Sequence, residues 1–221
     1  GENFAMMPAV RDHKRIGDGD TGPNTGGMGT VSDDALLSEA ELSDIVERIV
    51  KPTLHACKRE DIHFRGVLFF GLMLTAKGPM VLEYNVRFGD PETQSILVRL
   101  ETDLVDICEA MLTETLDKLD IKWTKGSSAC VILAADGYPA KPRTGDVING
   151  LAEAAKVPNV AVFHAGTARD SAGNYITSGG RVLGVTAVGA NLNGALLSAY
   201  EAVSKITWPG MQFRKDIGRQ L

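Results

Sequence analysis

The sequence predicts an α+β fold in two parts, with the division near residue 124. In residues 1–124, two stretches carry apolar residues at helical spacing, and two apolar segments on either side of a Lys-Gly-Pro turn indicate an antiparallel hairpin. In residues 125–221, short apolar segments are separated by glycine and proline, and one helical pattern follows. We therefore expect an antiparallel sheet with helices, followed by a small strand-rich C-terminal domain.

Two helices are expected in the first part. Ser38 and Glu41 form a capping-box pattern that opens the first helix, and an apolar stripe runs from Leu42 to Val50. Pro52 is expected to kink or end this helix, because proline has no amide hydrogen to donate. A second helix is expected over residues 103–119. Its predicted buried side chains are Leu104, Ile107, Cys108, Met111 and Leu112.

Strands are expected in both parts. In the first part they are predicted at residues 4–7, 66–74 and 81–88, and the last two form the hairpin. In the second part the predicted strands are residues 129–134, 160–164, 175–178 and 181–188. A helix over residues 191–206 completes the predicted C-terminal domain.

The strand at residues 81–88 has an unusual polar face. Alternation places Glu83, Asn85 and Arg87 on one side and apolar residues on the other. Glu83 and Asn85 offer the oxygen ligands that Mg²⁺ prefers, and Arg87 has a planar fork of donors for a phosphate or carboxylate. The alternative is a solvent-facing strand whose charges pair with a neighbouring strand.

A glycine-rich segment precedes the first predicted helix. Residues 17–29 contain six glycines, so we expect an irregular loop whose backbone amides can approach an anion. A mobile connector is the alternative. Pro23, Asn24 and Met28 favour a defined turn, since flexible linkers are usually rich in glycine and serine.

Composition and charge argue against several classes of protein. The formal net charge of −5 is unfavourable for a nucleic-acid partner. No apolar run of about 18 residues is found, so no membrane span is expected. Cys57, Cys108 and Cys130 are widely spaced, which fits a reducing compartment better than a disulfide framework or a zinc site. We therefore expect a cytoplasmic protein.

One stretch resembles ATP-grasp enzymes in general, and six further motifs in order resemble one family of these ligases. Residues 82–87 (LEYNVR) resemble the final metal-binding strand of ATP-grasp enzymes, and residues 87–94 (RFGDPETQ) resemble the signature of phosphoribosylamine–glycine ligases. The glycine-rich segment with the residues just before it is similar as well. The remaining matches are residues 137–139 (GYP), 163–167 (FHAGT), 179–183 (GGRVL) and 214–218 (RKDIG). The resemblance covers essentially the whole chain.

The resemblance implies a fold and a reaction. The fold is the carboxy-terminal half of an ATP-grasp domain followed by the family's C-terminal domain. In the reaction, ATP phosphorylates glycine, and 5-phosphoribosylamine attacks the glycyl phosphate to give glycinamide ribonucleotide, ADP and phosphate in de novo purine (IMP) biosynthesis. The implied partners are glycine, 5-phosphoribosylamine and ATP, with no nucleic acid or membrane. Fusion of the parent chain to other purine-pathway enzymes is left open.

The resemblance also implies roles for individual residues. Glu83 and Asn85 would bind the Mg²⁺ or Mn²⁺ that bridges the nucleotide phosphates. Arg87 would stabilise the transferring phosphoryl group, and Asp90 would orient an amine. The implied substrate-binding residues are Asn24, Thr25, Gly26, Gly27, Glu92, Arg214 and Lys215.

Several alternatives remain open. Arg214 and Lys215 could belong to a solvated charged tail, and His164 is expected to be structural. Ala140 stands where the family usually has glycine after GYP, so a local change of turn is expected. The nucleotide-clasping part of the family would lie before Gly1, so the isolated chain is expected to be inactive. Another ATP-grasp carboxylate–amine ligase of purine metabolism, or a non-catalytic binding fragment, are the rival functions.

Overall fold

The structure is a computed structural model that describes residues 3–219. The described chain forms two compact units whose segments alternate along the sequence. The first unit contains Leu37–Gly89, Leu100–Thr124 and the described residues before Pro8, and the second contains Pro8–Leu36, Asp90–Arg99 and the described residues from Lys125 onward. The division of the chain into two domains near residue 124 stays a prediction.

The described residues contain strands, α-helices and three shorter helical segments of other types. In chain order the strands are β1 (Arg11–Asp12), β2 (Arg15–Gly17), β3 (Thr21–Asn24), β4 (Gly29–Asp33), β5 (Phe69–Thr75), β6 (Gly78–Asn85), β7 (Ser127–Ala134), β8 (Val160–His164), β9 (Thr167–Arg169), β10 (Tyr175–Thr177) and β11 (Arg181–Gly189). The α-helices are α1 (Glu39–Ile45), α2 (Lys51–Arg59), α3 (Glu92–Leu97), α4 (Leu104–Leu112), α5 (Leu151–Ala154) and α6 (Leu192–Val203). A π-helical segment spans Val46–Val50, and 3₁₀ turns span Asp18–Asp20 and Leu116–Lys118.

In the first unit, the helix that begins after Ser38 passes through Pro52 without ending. The predicted capping box is present, because Ser38 and Glu41 each bond the other's backbone amide. The π-helical segment joins α1 to α2, and its wider turn is closed by a bond from Lys51 N to Val46 O. Since Pro52 has no amide hydrogen, it sits at the start of α2 directly after this wider turn. The expectation that Pro52 ends the helix is wrong, and the alternative of a kink stays a prediction.

The predicted hairpin of the first unit is confirmed. β5 and β6 pair antiparallel from Phe69 opposite Asn85 to Thr75 opposite Gly78, with a bulge after Gly71. The apolar run that forms β5 suits a buried strand, but no residue of β5 is fully buried, and Met73 and Leu74 at its far end are exposed.

The second unit is built on one antiparallel sheet of five strands in the order β1-β4-β7-β11-β8. All four ladders of this sheet are antiparallel. One face of β7 presents Ala129, Val131 and Leu133 to a core shared with α6. The strands β4 and β7 are therefore central, and they bring the region before residue 34 into the same sheet as the C-terminal part of the chain.

The other face of this sheet carries buried hydroxyl groups that bond α3 and the residue Arg99 after it. Thr30 Oγ1 lies 2.7 Å from Ser95 Oγ, and Ser128 Oγ donates to Ser95 O at 2.5 Å. Arg99 Nη1 donates to Ser32 Oγ at 2.9 Å. Because buried polar groups need partners, these bonds fix the position of α3 on the sheet.

Four expectations about local structure are wrong. Residues 4–7 belong to no strand, against the strand predicted there. The glycine-rich segment is partly regular, because β2 and β3 form a small hairpin within it. The helix expected over residues 103–119 ends at Leu112, since Glu114 adopts a positive φ of 59°. Cys108 and Leu112 are exposed, against the predicted burial.

The predicted strands and helix of the C-terminal region are confirmed with small shifts at their ends, and the structure adds β9 and α5. No helix among residues 3–219 has the length and apolar character needed to cross a membrane.

His13 links the start of the second unit to its C-terminal segment. Its ring is buried, with Nδ1 3.0 Å from Gly29 O, and Gly218 N donates to Nε2 at 3.1 Å. Because Nε2 accepts a hydrogen bond, the ring is the neutral tautomer with the proton on Nδ1. Burial lowers the pKa of His13 below its ordinary value of 6.5.

A pH titration of stability tests this link. With a lowered pKa in the folded state, the unfolded chain binds the His13 proton first as the pH falls below 6.5, so the free energy of unfolding should decrease there. His13→Gln should remove this decrease and lower stability at pH 7.5 by about 1 kcal/mol, the contribution of a hydrogen bond. Urea unfolding between pH 7.5 and pH 5.5 measures both effects.

His63→Gln is the matched control, because the His63 side chain is 88% exposed. It should keep the wild-type dependence on pH. An unchanged dependence in His13→Gln would contradict the assignment.

Candidate functional site

Glu83 and Asn85 lie on one face of β6. Glu83 stands opposite Gly71, and a Cβ atom at Gly71 would come within 2.8 Å of Glu83 Cγ. Tyr84 lies on the other face, where its ring meets the Phe70 ring at a centroid distance of 5.4 Å. Because residues two apart in a strand share a face, the predicted alignment of Glu83 with Asn85 is confirmed.

Arg87 lies beyond the end of β6. The ladder stops at the pair of Phe69 with Asn85, because β5 has no earlier residue to bond. The exposed Arg87 side chain donates from Nη1 to Phe88 O at 2.8 Å. The expectation that Arg87 shares the strand face with Glu83 and Asn85 is wrong, and its role with phosphate stays a prediction.

The donors on β6 fit a hard divalent cation with an incomplete protein shell. One carboxylate and one amide oxygen are ligands that Mg²⁺ and Mn²⁺ accept. Within residues 3–219, no cluster of three or more His, Cys, Asp or Glu side chains could enclose a metal ion. Glu83 and Asn85 therefore suit an ion whose other ligands are water and phosphate oxygens.

In the second unit, the glycine-rich segment is a defined turn held by hydrogen bonds. Asn24 is the exposed last residue of β3. Thr25 donates to Lys14 O from both its amide and its hydroxyl, each at 2.8 Å, and Gly27 N donates to Thr25 Oγ1 at 2.9 Å. Gly27 has a φ of +115°, and a Cβ there would lie 2.6 Å from Pro91 Cδ. Only glycine allows this close approach.

Asp90 is the centre of a hydrogen-bonded cluster in the second unit. Gln94 Nε2 donates to Asp90 Oδ1 at 2.9 Å, and Arg181 Nη2 donates to Asp90 Oδ2 at 2.8 Å. Arg181 Nη1 donates to the carbonyl oxygens of Asp90 at 2.7 Å and Gly26 at 2.8 Å. Gly26 N in turn donates to Tyr138 Oη at 3.0 Å. The cluster joins the glycine-rich turn to the turn that contains Asp90.

Glu92 and Asp12 are two further carboxyl groups of this unit, and both are less exposed than Asp90. Glu92 is the first residue of α3 and is buried. Burial raises the pKa of the Glu92 carboxyl, and the negative charge of Asp12 raises it further. Asp12 Oδ2 pairs with Lys14 Nζ at 2.5 Å.

Arg214 is fully buried and bound to carboxylates. Its Nε and Nη2 donate to the two oxygens of Asp216 at 2.8 and 2.7 Å, and Nη1 donates to Asp20 Oδ1 at 2.6 Å and to Arg15 O at 3.3 Å. The guanidinium holds the pKa of Asp216 well below its usual range. Arg214 thus ties the C-terminal segment to the 3₁₀ turn of the glycine-rich segment.

Lys215 is exposed beside an open cavity of about 490 Å³. The lining of this cavity also includes Gly17, Asp18 and Phe213. The backbone of Lys215 is held in place because its amide donates to Asp18 Oδ1 at 2.7 Å. The Lys215 ammonium, and not the saturated Arg214 guanidinium, is the cation of this pair that faces an open volume.

Sequence reasoning did not assign Arg181, Tyr138 and Gln94 to the site. All three lie inside motifs that carried the family resemblance, but no role was inferred for them. The sequence does carry a signal for Arg181, namely the two glycines directly before it. A glycine beside a large side chain indicates that another group packs closely against the backbone there. A Cβ at Gly180 would come within 2.3 Å of the Tyr138 ring.

The fold defines the class of protein. Biotin carboxylase from Campylobacter jejuni superposes with a TM-score of 0.54 at 17% identity, covering 85% of this chain and 40% of that one. At this identity the likeness shows a shared fold alone. That fold is of the ATP-grasp type by the description of the family model that matches residues 1–93.

The family follows from models of its two domains. The model of the phosphoribosylglycinamide synthetase ATP-grasp (A) domain matches residues 1–93, and that of the phosphoribosylglycinamide synthetase C domain matches residues 128–220. The chain belongs to the phosphoribosylglycinamide synthetase family.

Relatives of this family match nearly the whole chain. Phosphoribosylamine–glycine ligase from Rhodopirellula baltica is 48% identical over 98% of this chain and 50% of the relative. The chloroplastic ligase from Arabidopsis thaliana is 49% identical over 99% of this chain and 42% of the relative. The crystal structure of the Thermotoga maritima ligase has a TM-score of 0.83 at 35% identity, covering 99% of this chain and 53% of that one. The chain thus spans about half the length of these relatives.

The buried ion pair of Arg214 makes a testable contribution to stability. Arg214→Met would leave Asp216 and Asp20 without their partner, so the free energy of unfolding should fall by about 3 kcal/mol, as when one member of a buried pair is removed. Arg143→Met is the matched control, because Arg143 pairs with carboxylates at the surface and should contribute little. Urea unfolding of both variants measures the difference, and equal losses would contradict the structural role of Arg214.

Proposed function

We propose that the complete protein containing this chain is a phosphoribosylamine–glycine ligase of de novo purine biosynthesis. The observation that carries the proposal is the match of nearly the whole chain to relatives of that name. The proposed substrates are glycine, 5-phosphoribosylamine and ATP. No nucleic-acid or membrane partner is part of the proposal.

The proposed reaction has two steps. A glycine carboxylate oxygen attacks the γ-phosphorus of ATP, and the bond to the bridging oxygen of ADP breaks. The amine of 5-phosphoribosylamine then attacks the carbonyl carbon of glycyl phosphate, the carbon–oxygen bond to phosphate breaks, and the amine loses a proton. No covalent bond to the protein is required, so catalysis rests on positioning and on neutralising charge.

Residues of the first unit are assigned to the phosphate chemistry. Glu83 and Asn85 would hold Mg²⁺ or Mn²⁺, which would neutralise negative charge on the nucleotide phosphates. Arg87 is proposed to stabilise charge on the transferring phosphoryl group, since its exposed guanidinium offers several donors. Sharing β6 with Asn85 gives Glu83 a fixed position relative to the second ligand.

Residues of the second unit are assigned to binding glycine and 5-phosphoribosylamine. Asp90 is proposed to orient the attacking amine, because each of its carboxylate oxygens keeps a lone pair beyond the bond it accepts. Glu92 adds negative charge near that amine, and the turn of Asn24, Thr25, Gly26 and Gly27 lines the pocket. Lys215 is proposed to bind the ribose phosphate directly, while Arg214 contributes by holding the loop beside it.

The proposed location is the cytoplasm. Cys57, Cys108 and Cys130 are free, as is usual in a reducing compartment. Fusion of the complete chain to other purine-pathway enzymes stays a prediction.

An assay of the complete protein tests the proposed function. With ATP, Mg²⁺, glycine and 5-phosphoribosylamine, phosphate should be released only when both glycine and the amine are present. With another small carboxylate in place of glycine, the amine should no longer cause phosphate release, because the carboxylate substrate is proposed to be glycine. Turnover with another carboxylate and not with glycine would support a different carboxylate–amine ligase. The 221-residue chain alone, which spans half of its relatives, should show no turnover.

The metal assignment has its own test. Glu83→Gln removes the charge but keeps an oxygen donor, so the Mg²⁺ concentration for half-maximal activity should rise and kcat should fall by about 10²-fold or more. Glu60→Gln, at an exposed glutamate after α2, is the control and should behave as wild type. Wild-type Mg²⁺ dependence in Glu83→Gln would remove Glu83 from the metal site.

A further inference from the structure

Arg181 has a position that the roles assigned above do not explain. It is the first residue of β11 and lies more than ninety residues along the chain from Asp90, yet its guanidinium contacts two separate turns. Nη2 bonds the Asp90 carboxylate, and Nη1 bonds the carbonyl oxygens of Asp90 and Gly26. One side chain therefore holds both the Asp90 turn and the glycine-rich turn.

The packing around this guanidinium leaves little freedom to either turn. A Cβ at Gly26 would lie 2.9 Å from Arg181 Cζ, so the glycine backbone rests directly against the guanidinium plane. On its other side Gly26 donates to Tyr138 Oη. Gly26 is therefore fixed through both its amide and its carbonyl group, and both fixing side chains come from the C-terminal part of the chain.

The contacts also set the orientation of the Asp90 carboxylate. Oδ2 is held by Arg181 and Oδ1 by Gln94, so rotation about the Cβ–Cγ bond would break two hydrogen bonds. The Asp90 side chain is nevertheless 54% exposed, whereas that of Arg181 is 21% exposed. An oriented carboxylate that stays open to solvent is arranged to meet a ligand, and an ion pair at this exposure contributes little to folding.

We propose that Arg181 is a positioning residue that orients Asp90 toward the substrate amine and sets the distance between Asp90 and the glycine-rich turn. The inference rests on the proposed function for the role of Asp90. Arg181 itself contacts no reacting atom in this assignment. Its loss would misplace the amine relative to glycyl phosphate, and a displacement of about 1 Å can cost about 10²-fold in rate.

Kinetics of the complete protein test the role. Arg181→Met should lower kcat by about 10²-fold and raise KM for 5-phosphoribosylamine, while KM for ATP changes little. Arg181→Lys should recover part of the loss, because an ammonium can still donate to Asp90. Arg169→Met is the matched control, since the Arg169 side chain stacks on Tyr175 and bonds Gly173 O. Wild-type kcat in Arg181→Met, or an equal loss in Arg169→Met, would overturn the proposal.

A double-mutant cycle separates positioning from a general loss of structure. If Arg181 acts through Asp90, Arg181→Lys should have little further effect in an Asp90→Asn background. Losses that multiply independently in the double variant would overturn the proposal. This comparison uses conservative variants, so it remains decisive even if Arg181→Met does not fold.

Hydrogen exchange gives a readout that does not depend on turnover. In Arg181→Met, peptides that cover residues 22–28 should exchange faster, while peptides from β7 keep their wild-type rates. Unchanged exchange at residues 22–28 would overturn the proposal that Arg181 holds the glycine-rich turn in place. If Arg181→Met shows faster exchange at residues 22–28 but the wild-type protein releases no phosphate dependent on glycine and the amine, the structural role of Arg181 stands and the proposed function fails.

Discussion

The ladder between β4 and β7 is the interaction on which the second unit depends. β4 precedes the first helix and β7 begins the C-terminal region, yet they pair from Gly29 opposite Val131 to Asp33 opposite Ser127. The glycine-rich turn ends where β4 begins, so this ladder fixes the position of the end of the turn at Gly29. A Cβ at Gly29 would lie 2.6 Å from Cys130 O, which shows how closely the two backbones approach.

The two faces of the sheet perform different tasks. The face toward α6 is apolar and supplies most of the burial that stabilises the unit. The opposite face is lined with hydroxyl groups, and these bond α3 and Arg99 through directional contacts. A purely apolar contact would let a six-residue helix slide, whereas hydrogen bonds to Ser95 fix its register. Glu92 is the first residue of α3 and Asp90 lies two residues before it, so the position of this helix on the sheet also determines where both carboxyl groups lie.

Local patterns in the sequence predicted the elements whose structure depends on near neighbours. The capping box at Ser38, the hairpin of β5 with β6 and the alignment of Glu83 with Asn85 are of this kind. The bonds of Arg214 to Asp20 and of Arg181 to Asp90 could not be predicted, because these partners lie in turns far away in sequence and are brought together only by the sheet. The end of β6 at Asn85 was missed because it depends on where β5 begins. Pro52 was misjudged because the π-helical segment before it has no sequence pattern that we recognised.

The crossing of β4 into the C-terminal sheet has a consequence for how this polypeptide can be divided. A gene split near residue 124 would produce a first piece in which β4 keeps only the two-residue β1 as neighbour. Its free edge, and the row of hydroxyl groups beside it, would then be a template for pairing with other chains. The second piece would lose the strand that covers β7. The two family models match separate regions of the chain, but the second compact unit contains residues from both regions. This unit therefore needs both regions of the chain in order to fold.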